Sequence, residues 1–135
     1  MSLNELFDGA RGRIRRYTPT EARAAMQAGA VLVDIRDRFS REHDGVIPGA
    51  YHVPRTVLEW RVASDEHGNP ALQDKRLILV CDHGFSTVFA ASMLMDLGLD
   101  VGDVVGGFEA WKADGLATGV ARRYDGRPGD GPPDQ

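Results

Sequence analysis

The stretch RLILVCDHGFSTVFAASMLMDLG, residues 76–98, decides the fold class. It opens with a short, continuous apolar run that ends at Cys81, which is typical of a strand buried on both faces. A brief turn containing Gly84 follows. Residues 86–97 then form a mostly apolar segment with the length of a helix. A buried strand that leads directly into a helix is a building unit of α/β folds.

The rest of the chain repeats this alternation. Thr18, Pro19 and Glu21 have the spacing of a capping box with proline at the first helical position, so they predict a helix that stops at Gly29. Further strands are predicted at 30–35, 51–54 and 103–105, and further helices at 37–44, 56–63 and 108–113. This alternation predicts an α/β fold with a mostly parallel sheet and helices on both faces, and we expect the sheet to be five-stranded, one strand more than the four named here.

The predicted organisation is one domain over 15–120 with two flexible ends. Residues 1–14, which include most of the basic cluster RGRIRR at 11–16, are predicted to be a flexible N-terminal arm. Residues 121–135 are dominated by Gly, Pro, Asp and Arg, and we expect a disordered C-terminal tail.

Composition narrows the functional classes. The net charge of −4 argues against a nucleic-acid-binding role, for which a basic surface would be expected. No apolar run approaches the roughly 20 residues that span a bilayer, and the first residues lack a secretory pattern. A single cysteine excludes an internal disulfide and favours a reducing, cytoplasmic location. The histidines have no metal-ligand spacing, so no metal site is predicted.

Cys81 is the candidate reactive group. It lies at the carboxyl end of a predicted parallel strand, where open α/β sheets bind ligands. The tight loop 82–86 and the first turn of the next helix can direct backbone N–H groups inward as an anion cradle, which would favour a thiolate. Ser86 or Thr87 is the expected N-cap. From the residues alone, an inert buried cysteine remains an equal alternative.

Four segments, one of which contains Cys81, carry a family resemblance. They are LVDIRD at 32–37, GVIPGAYHVP at 45–54, LILVCDHG at 77–84 and VVGGFEAWKADGL at 104–116. In this order and spacing they resemble a single-domain rhodanese, a sulfurtransferase. The resemblance implies that Cys81 takes sulfane sulfur as a persulfide and passes it to a thiophilic acceptor, with no cofactor. It also implies substrate binding by the loop Asp82, His83, Gly84, Phe85, Ser86 and Thr87, with Asp34 and Arg36 in support.

The loop departs from the family pattern Cys-Arg-x-Gly-x-Arg, because Asp82 and Ser86 occupy the arginine positions. A guanidinium is the best bidentate partner for thiosulfate, sulfate or phosphate. We therefore expect thiosulfate to be a poor donor, and we favour a polysulfide, a small-molecule persulfide or a protein persulfide. Phosphatase and arsenate reductase activities are not expected, for the same reason.

The remaining expectations concern partners and the surroundings of the loop. The partners predicted are a small sulfur donor and a thiophilic acceptor, which could be a protein thiol.

Asp34 and Arg36 are expected to form a structural salt bridge rather than to act directly, and Trp60 is expected at the pocket rim. Phe85 is equally compatible with burial and with an exposed lip. The alternative function is a catalytically weak rhodanese-like module that binds a protein or senses redox state.

Overall fold

All of residues 1–135 are described by a computed structural model. The strands are β1 (Arg15–Tyr17), β2 (Val31–Asp34), β3 (Tyr51–His52), β4 (Leu77–Val80) and β5 (Val101–Val104). The helices are α1 (Leu3–Arg13), α2 (Pro19–Gln27), α3 (Arg38–Asp44), α4 (Leu58–Ala63), α5 (Ser86–Asp96) and α6 (Gly107–Ala113). The strands form one sheet in the order β1-β5-β4-β2-β3, and every neighbouring pair is parallel. The predicted five-stranded α/β fold is confirmed.

Each face of the sheet is covered by a separate hydrophobic core. Along β4, Leu77 and Leu79 point to the face covered by α1, α4 and α5, and Ile78 and Val80 to the face covered by α2 and α6. All four side chains are buried, which explains why β4 is apolar at every position. No helix has the length and apolar character needed to cross a bilayer.

The sheet register brings three chain segments to one edge. Asp34 of β2 is level with Val80 of β4, and Asp103 of β5 is level with Leu79. Because the strands are parallel, the residues that follow β2, β4 and β5 all emerge on the same side. This edge carries the site described below.

The first residues form a helix where the sequence analysis expected a flexible arm. Helix α1 begins with a capping box between Ser2 and Glu5. Its last turn is tied to α5, because Arg13 donates to Ser92 Oγ at 3.0 Å and to Asp96 Oδ1 at 2.6 Å. The basic cluster therefore does not behave as one unit, since part of it anchors the helix.

The expected disorder of residues 121–135 also differs from the structure. The segment contains no helix or strand, but it packs on the domain. Asn69 donates to the Gly129 carbonyl at 2.9 Å, and Asp134 is buried against Arg41 with two hydrogen bonds of 2.9 and 3.0 Å. The buried arginine explains the order, because its charge requires a carboxylate that residues before the tail only partly supply.

Candidate active site

Cys81 follows the last residue of β4 and contributes to the floor of an open cleft of about 530 Å³. The walls come from the loop after β4, from Ile35–Asp37 at the end of β2, and from Pro54–Thr56. Cys81 is only 6% exposed, yet it still lines this cleft. Cys81 therefore lies between the hydrophobic core and the cleft.

Polar groups surround the sulfur. The N–H of Gly84 donates to Cys81 Sγ at 3.2 Å, and Thr87 Oγ1 lies 3.5 Å from it. Burial raises the pKa of the Cys81 thiol, but hydrogen bonds with the Ser86 and Thr87 side chains and with the Thr87 and Gly84 backbone outweigh it, so the pKa lies below its ordinary value. A lowered pKa increases the thiolate fraction, and the thiolate is the nucleophilic form of cysteine.

The loop is held in shape from the side of α6. Phe108 N–H donates to the Cys81 carbonyl at 2.8 Å, and Glu109 N–H donates to the Asp82 carbonyl at 3.1 Å. At Gly84 the backbone has φ +82°, and a Cβ there would lie 2.8 Å from the Gly106 nitrogen. Only glycine fits this position without displacing the loop.

The other loop residues expected at the site lie around the cleft. Asp82, His83, Phe85 and Ser86 all line it. Asp82 accepts a hydrogen bond from Ser40 Oγ at 3.3 Å. His83 Nδ1 lies 2.5 Å from Glu109 Oε2, on the exposed rim.

The structure decides the environment of Phe85. This side chain is 65% exposed, so it forms a lip on the cleft, and its ring centroid lies 5.8 Å from that of Phe7. The predicted rim residue Trp60 is exposed as well, but it does not line the cleft and lies against His67 instead.

Neither Ser86 nor Thr87 caps α5 as expected. The N-cap residue is Phe85, and no side chain makes a capping hydrogen bond. Thr87 instead donates to Asp103 Oδ2 at 2.7 Å. A buried carboxylate from the neighbouring strand thus competes successfully for the hydroxyl group that the sequence pattern assigned to the cap.

Comparison with known proteins identifies the family. Residues 18–114 match the family model of the rhodanese-like domain. The chain belongs to the rhodanese-like domain family. Over 102 residues it is 38% identical to thiosulfate sulfurtransferase GlpE of Pseudomonas savastanoi, which corresponds to 73% of this chain and 88% of that relative. The expectation of a rhodanese-type sulfurtransferase is confirmed at the level of family and enzyme class.

Two solved structures illustrate how far the rhodanese-like fold extends. A Rhodopseudomonas palustris protein of unknown function, described as a possible tyrosine phosphatase, is 31% identical with a TM-score of 0.79, and the match covers 87% of this chain and 94% of that one. The polysulfide-sulfur transferase of Wolinella succinogenes has a TM-score of 0.70 at 22% identity, with 84% of each chain covered. The second similarity supports the fold alone.

The two supporting residues of the rhodanese-like pattern form a buried ion pair. Arg36 donates to Asp34 from Nε at 3.0 Å and from Nη2 at 2.8 Å, and Arg41 adds a bond of 2.9 Å to the same carboxylate. The guanidinium of Arg36 also lies 4.0 Å from the centroid of the Phe108 ring. Burial raises the pKa of Asp34, but Arg36 and Arg41 outweigh it and hold this pKa below its usual range. The expected ion pair between these residues is present and buried, and Arg36 lines the cleft.

Residues outside the quoted motifs complete the surroundings of Cys81. Asp103 is fully buried behind the loop, and Arg16 pairs with it from β1. Neither residue was predicted from the sequence. Asp103 carried one signal, a charged residue within an otherwise apolar strand segment, whereas Arg16 was hidden within a basic cluster.

Proposed function

We propose that Cys81 is the persulfide carrier of a sulfurtransferase. The observation that supports this best is the placement of Cys81, which lines a cleft while its Sγ accepts a hydrogen bond from a backbone N–H group at 3.2 Å and its pKa is lowered. Such surroundings are those of a reactive thiolate rather than of an inert core cysteine.

The chemistry consists of two sulfur exchanges. The Cys81 thiolate attacks the outer sulfur of the donor, a bond forms between the two sulfurs, and the donor's remainder leaves with the electron pair of the broken bond. A thiophilic acceptor then attacks the outer sulfur of the persulfide, and the Cys81 thiolate leaves. The electrons balance in each step without an external oxidant or reductant.

The charges of the cleft favour a donor other than thiosulfate. Arg36 pairs with Asp34 through Nε and Nη2 and has a partner-free donor only at the buried Nη1, Arg55 pairs with Glu59, and Asp82 adds a carboxylate at the cleft. A dianion entering this cleft would therefore meet no guanidinium free of a carboxylate partner. Although the curated relatives are named for thiosulfate, we propose a polysulfide or a persulfide as the donor for this chain.

A direct test measures sulfur loading and release. The protein is incubated with thiosulfate, inorganic polysulfide or glutathione persulfide, and Cys81 is examined for the added mass of one sulfur atom. Cyanide-dependent thiocyanate formation then reports release. We expect loading by polysulfide and persulfide and none in Cys81→Ser. Failure of every donor to load Cys81 would overturn the proposal and favour the alternative of a binding or redox-sensing module.

Substitutions at position 82 test the choice of donor. Asp82→Arg restores a guanidinium to the loop, so the rate with thiosulfate should rise relative to the rate with glutathione persulfide. Asp82→Asn is the matched control, since it removes the negative charge without adding a donor fork. A wild-type protein that already uses thiosulfate as efficiently as glutathione persulfide would refute the donor part of the proposal.

The exposed lip supports a protein as the physiological acceptor. Phe85 and Phe7 form an aromatic pair beside the cleft, with Phe85 largely exposed. We expect Phe85→Gln to slow transfer to a protein thiol and to leave transfer to cyanide unchanged. Equal slowing with both acceptors would count against a protein-contact role.

The single free cysteine also supports a cytoplasmic location, where thiol acceptors are maintained in reduced form.

A further inference from the structure

A second set of polar residues lies behind the loop, on the side away from the cleft. Arg16 donates to both carboxylate oxygens of Asp103, from Nε at 2.9 Å and from Nη2 at 3.1 Å. The Thr87 hydroxyl donates to the same carboxylate at 2.7 Å. Asp103 has no exposed surface, and the Arg16 side chain is 20% exposed. Neither residue lines the cleft, so neither is placed to touch a substrate bound there.

Both of these residues connect to the groups that contact the sulfur. Arg16 Nη2 also donates to the carbonyl of Gly84 at 3.0 Å, and the N–H of Gly84 donates to Cys81 Sγ. Asp103 binds Thr87, whose oxygen lies 3.5 Å from Sγ. One guanidinium therefore supports two of the residues that hydrogen-bond to Cys81, directly at Gly84 and through Asp103 at Thr87.

We propose that Arg16 and Asp103 are positioning residues for Cys81, which hold Gly84 and Thr87 around the sulfur from behind the loop. This inference rests on the proposed role of Cys81 as the reactive thiol. The loop lacks the two arginines of the family pattern. The guanidinium of Arg16, contributed by β1, holds the loop in place without contacting the substrate cleft. Arg16 lies outside the segment that matches the family model.

Hydrogen-bond accounting explains why the arginine matters. The Thr87 hydroxyl has one proton, so it can donate either to Asp103 or to a thiolate at Cys81, but not fully to both. Arg16 already supplies Asp103 with two charge-assisted hydrogen bonds. The carboxylate therefore remains satisfied when the hydroxyl turns toward a thiolate, and the thiolate gains a donor at little cost elsewhere.

Other charged groups also face the site. Arg36, Asp37, Arg55, Asp82 and His83 line the cleft. They lie on the substrate side of Cys81, and none of them contacts Arg16 or Asp103. A substitution at Arg16 therefore tests the support behind the loop and removes no side chain that lines the cleft.

The decisive experiment measures the reactivity of Cys81 with iodoacetamide across pH. Arg16→Lys keeps a positive charge beside Asp103 but loses the planar fork that reaches both Asp103 and Gly84. We expect the midpoint of the alkylation profile to move to higher pH and the rate at pH 7 to fall about tenfold, the size of one lost hydrogen bond to a charged group. Arg15→Lys is the matched control in the same strand, because Arg15 lies over the Tyr17 ring and has no contact with the loop.

Thr87 provides the second measurement and is informative even where Arg16→Lys does not fold. Thr87→Val should raise the alkylation midpoint, whereas Thr87→Ser keeps the hydroxyl and should resemble the wild type. The double variant Arg16→Lys/Thr87→Val should show less than the sum of the two single effects, since both disturb one network. A wild-type profile in folded Arg16→Lys, or in Thr87→Val, overturns the inference.

Alkylation requires no sulfur donor, so the two proposals can fail separately. A protein that loses reactivity in Arg16→Lys but never accepts sulfur would retain the positioning pair and refute the sulfurtransferase assignment. If Arg16→Lys transfers sulfur at the wild-type rate and its alkylation profile is unchanged, the sulfurtransferase assignment is retained and the positioning role of Arg16 and Asp103 is refuted.

Discussion

The strands on either side of β4 each bring a buried aspartate to the edge of the sheet that carries Cys81. Asp34 of β2 and Asp103 of β5 are both fully buried and both paired with arginine. Their connections differ. Asp103 reaches the sulfur through Thr87, whereas Asp34 is bound by Arg36 and Arg41 and makes no contact with the loop after β4.

If Cys81 has its proposed role, this difference separates the region of the reactive thiol from a structural region. On the Asp103 side, the ion pair has a third partner whose hydroxyl lies against Cys81. On the Asp34 side, Arg36 lines the cleft, and the remaining ion pairs lead away from it, through Arg41 to Asp134 of the tail. Similar buried ion pairs therefore serve different purposes, and what distinguishes them is the group to which each is connected.

The largest expected effect is on stability, at Asp34. Asp34→Asn leaves the fully buried Arg36 without its carboxylate, which should lower the free energy of unfolding by about 3–5 kcal/mol. Urea unfolding at pH 7 measures this loss. Asp100→Asn, which breaks an exposed pair with Arg76, is the control and should change stability far less. The alkylation midpoint of Cys81 should not move in folded Asp34→Asn, and a shift like that of Arg16→Lys would remove the distinction between the two regions.

A smaller effect on stability, combined with a loss of activity, is expected at the support of the loop. A Cβ at Gly107 would lie 2.4 Å from the Cys81 carbonyl and 2.7 Å from the Asp82 carbonyl carbon. Gly107→Ala should therefore displace the loop, with a loss of roughly 2–3 kcal/mol and slower sulfur loading. Gly115 also has a positive φ, but no atom lies within 4 Å of the Cβ that Gly115→Ala would add. The difference between the two variants therefore measures the effect of the steric clash at Gly107. Equal behaviour of the two variants would refute the role of close packing.

The next effect concerns the tail. Asp134→Asn removes the charged partner of Arg41 while Asp34 remains in place, so the stability loss should be about 1–2 kcal/mol. Tryptic cleavage after Arg122 and Arg123 should become faster, because the segment is no longer held. The alkylation rate of Cys81 should stay at the wild-type value. Unchanged cleavage would show that the tail is held by its other contacts.

The smallest expected effect is a pH dependence of stability that arises at His52, near Asp34 and Arg41. Burial lowers the pKa of His52, and the nearby Arg41 charge lowers it further. The unfolded chain then binds this proton more readily than the folded protein, so stability should fall as the pH drops below the ordinary histidine value of about 6.5, by about 1 kcal/mol or less. Urea unfolding between about pH 7.5 and about pH 5.5 tests this, because the range extends roughly one pH unit to each side of the ordinary histidine pKa. His52→Asn should flatten the curve, and an identical slope in both proteins would contradict the assignment.

Much of the fold could be predicted from local patterns. The all-apolar run before Cys81 indicated a strand covered on both faces, and both hydrophobic cores confirm it. The capping box at Thr18 and Glu21 is present at the start of α2. The capping box at Ser2 and Glu5 was equally visible in the sequence, and the flexible-arm prediction overlooked it in favour of the basic residues that follow.

The site itself was only partly predictable. Cys81 and the loop after it are adjacent in the sequence, so their proximity follows from chain connectivity alone. Arg16 and Thr87 are brought together by the pairing of β1 with β5 and by the docking of α5, which no short motif records. The choice of Thr87 as a partner of Asp103 rather than as a helix cap depends on a carboxylate 16 residues away.

The sequence alone determined the alternation of strands and helices from α2 onward, the position of Cys81 at a strand end, and the lack of arginine in its loop, because these depend on residue type and local spacing. Only the tertiary structure decided which charges lie behind the sulfur and which hold the tail. The physical reason is that a buried charge must find its partner wherever the fold brings one within hydrogen-bonding distance, and that partner is often distant in sequence.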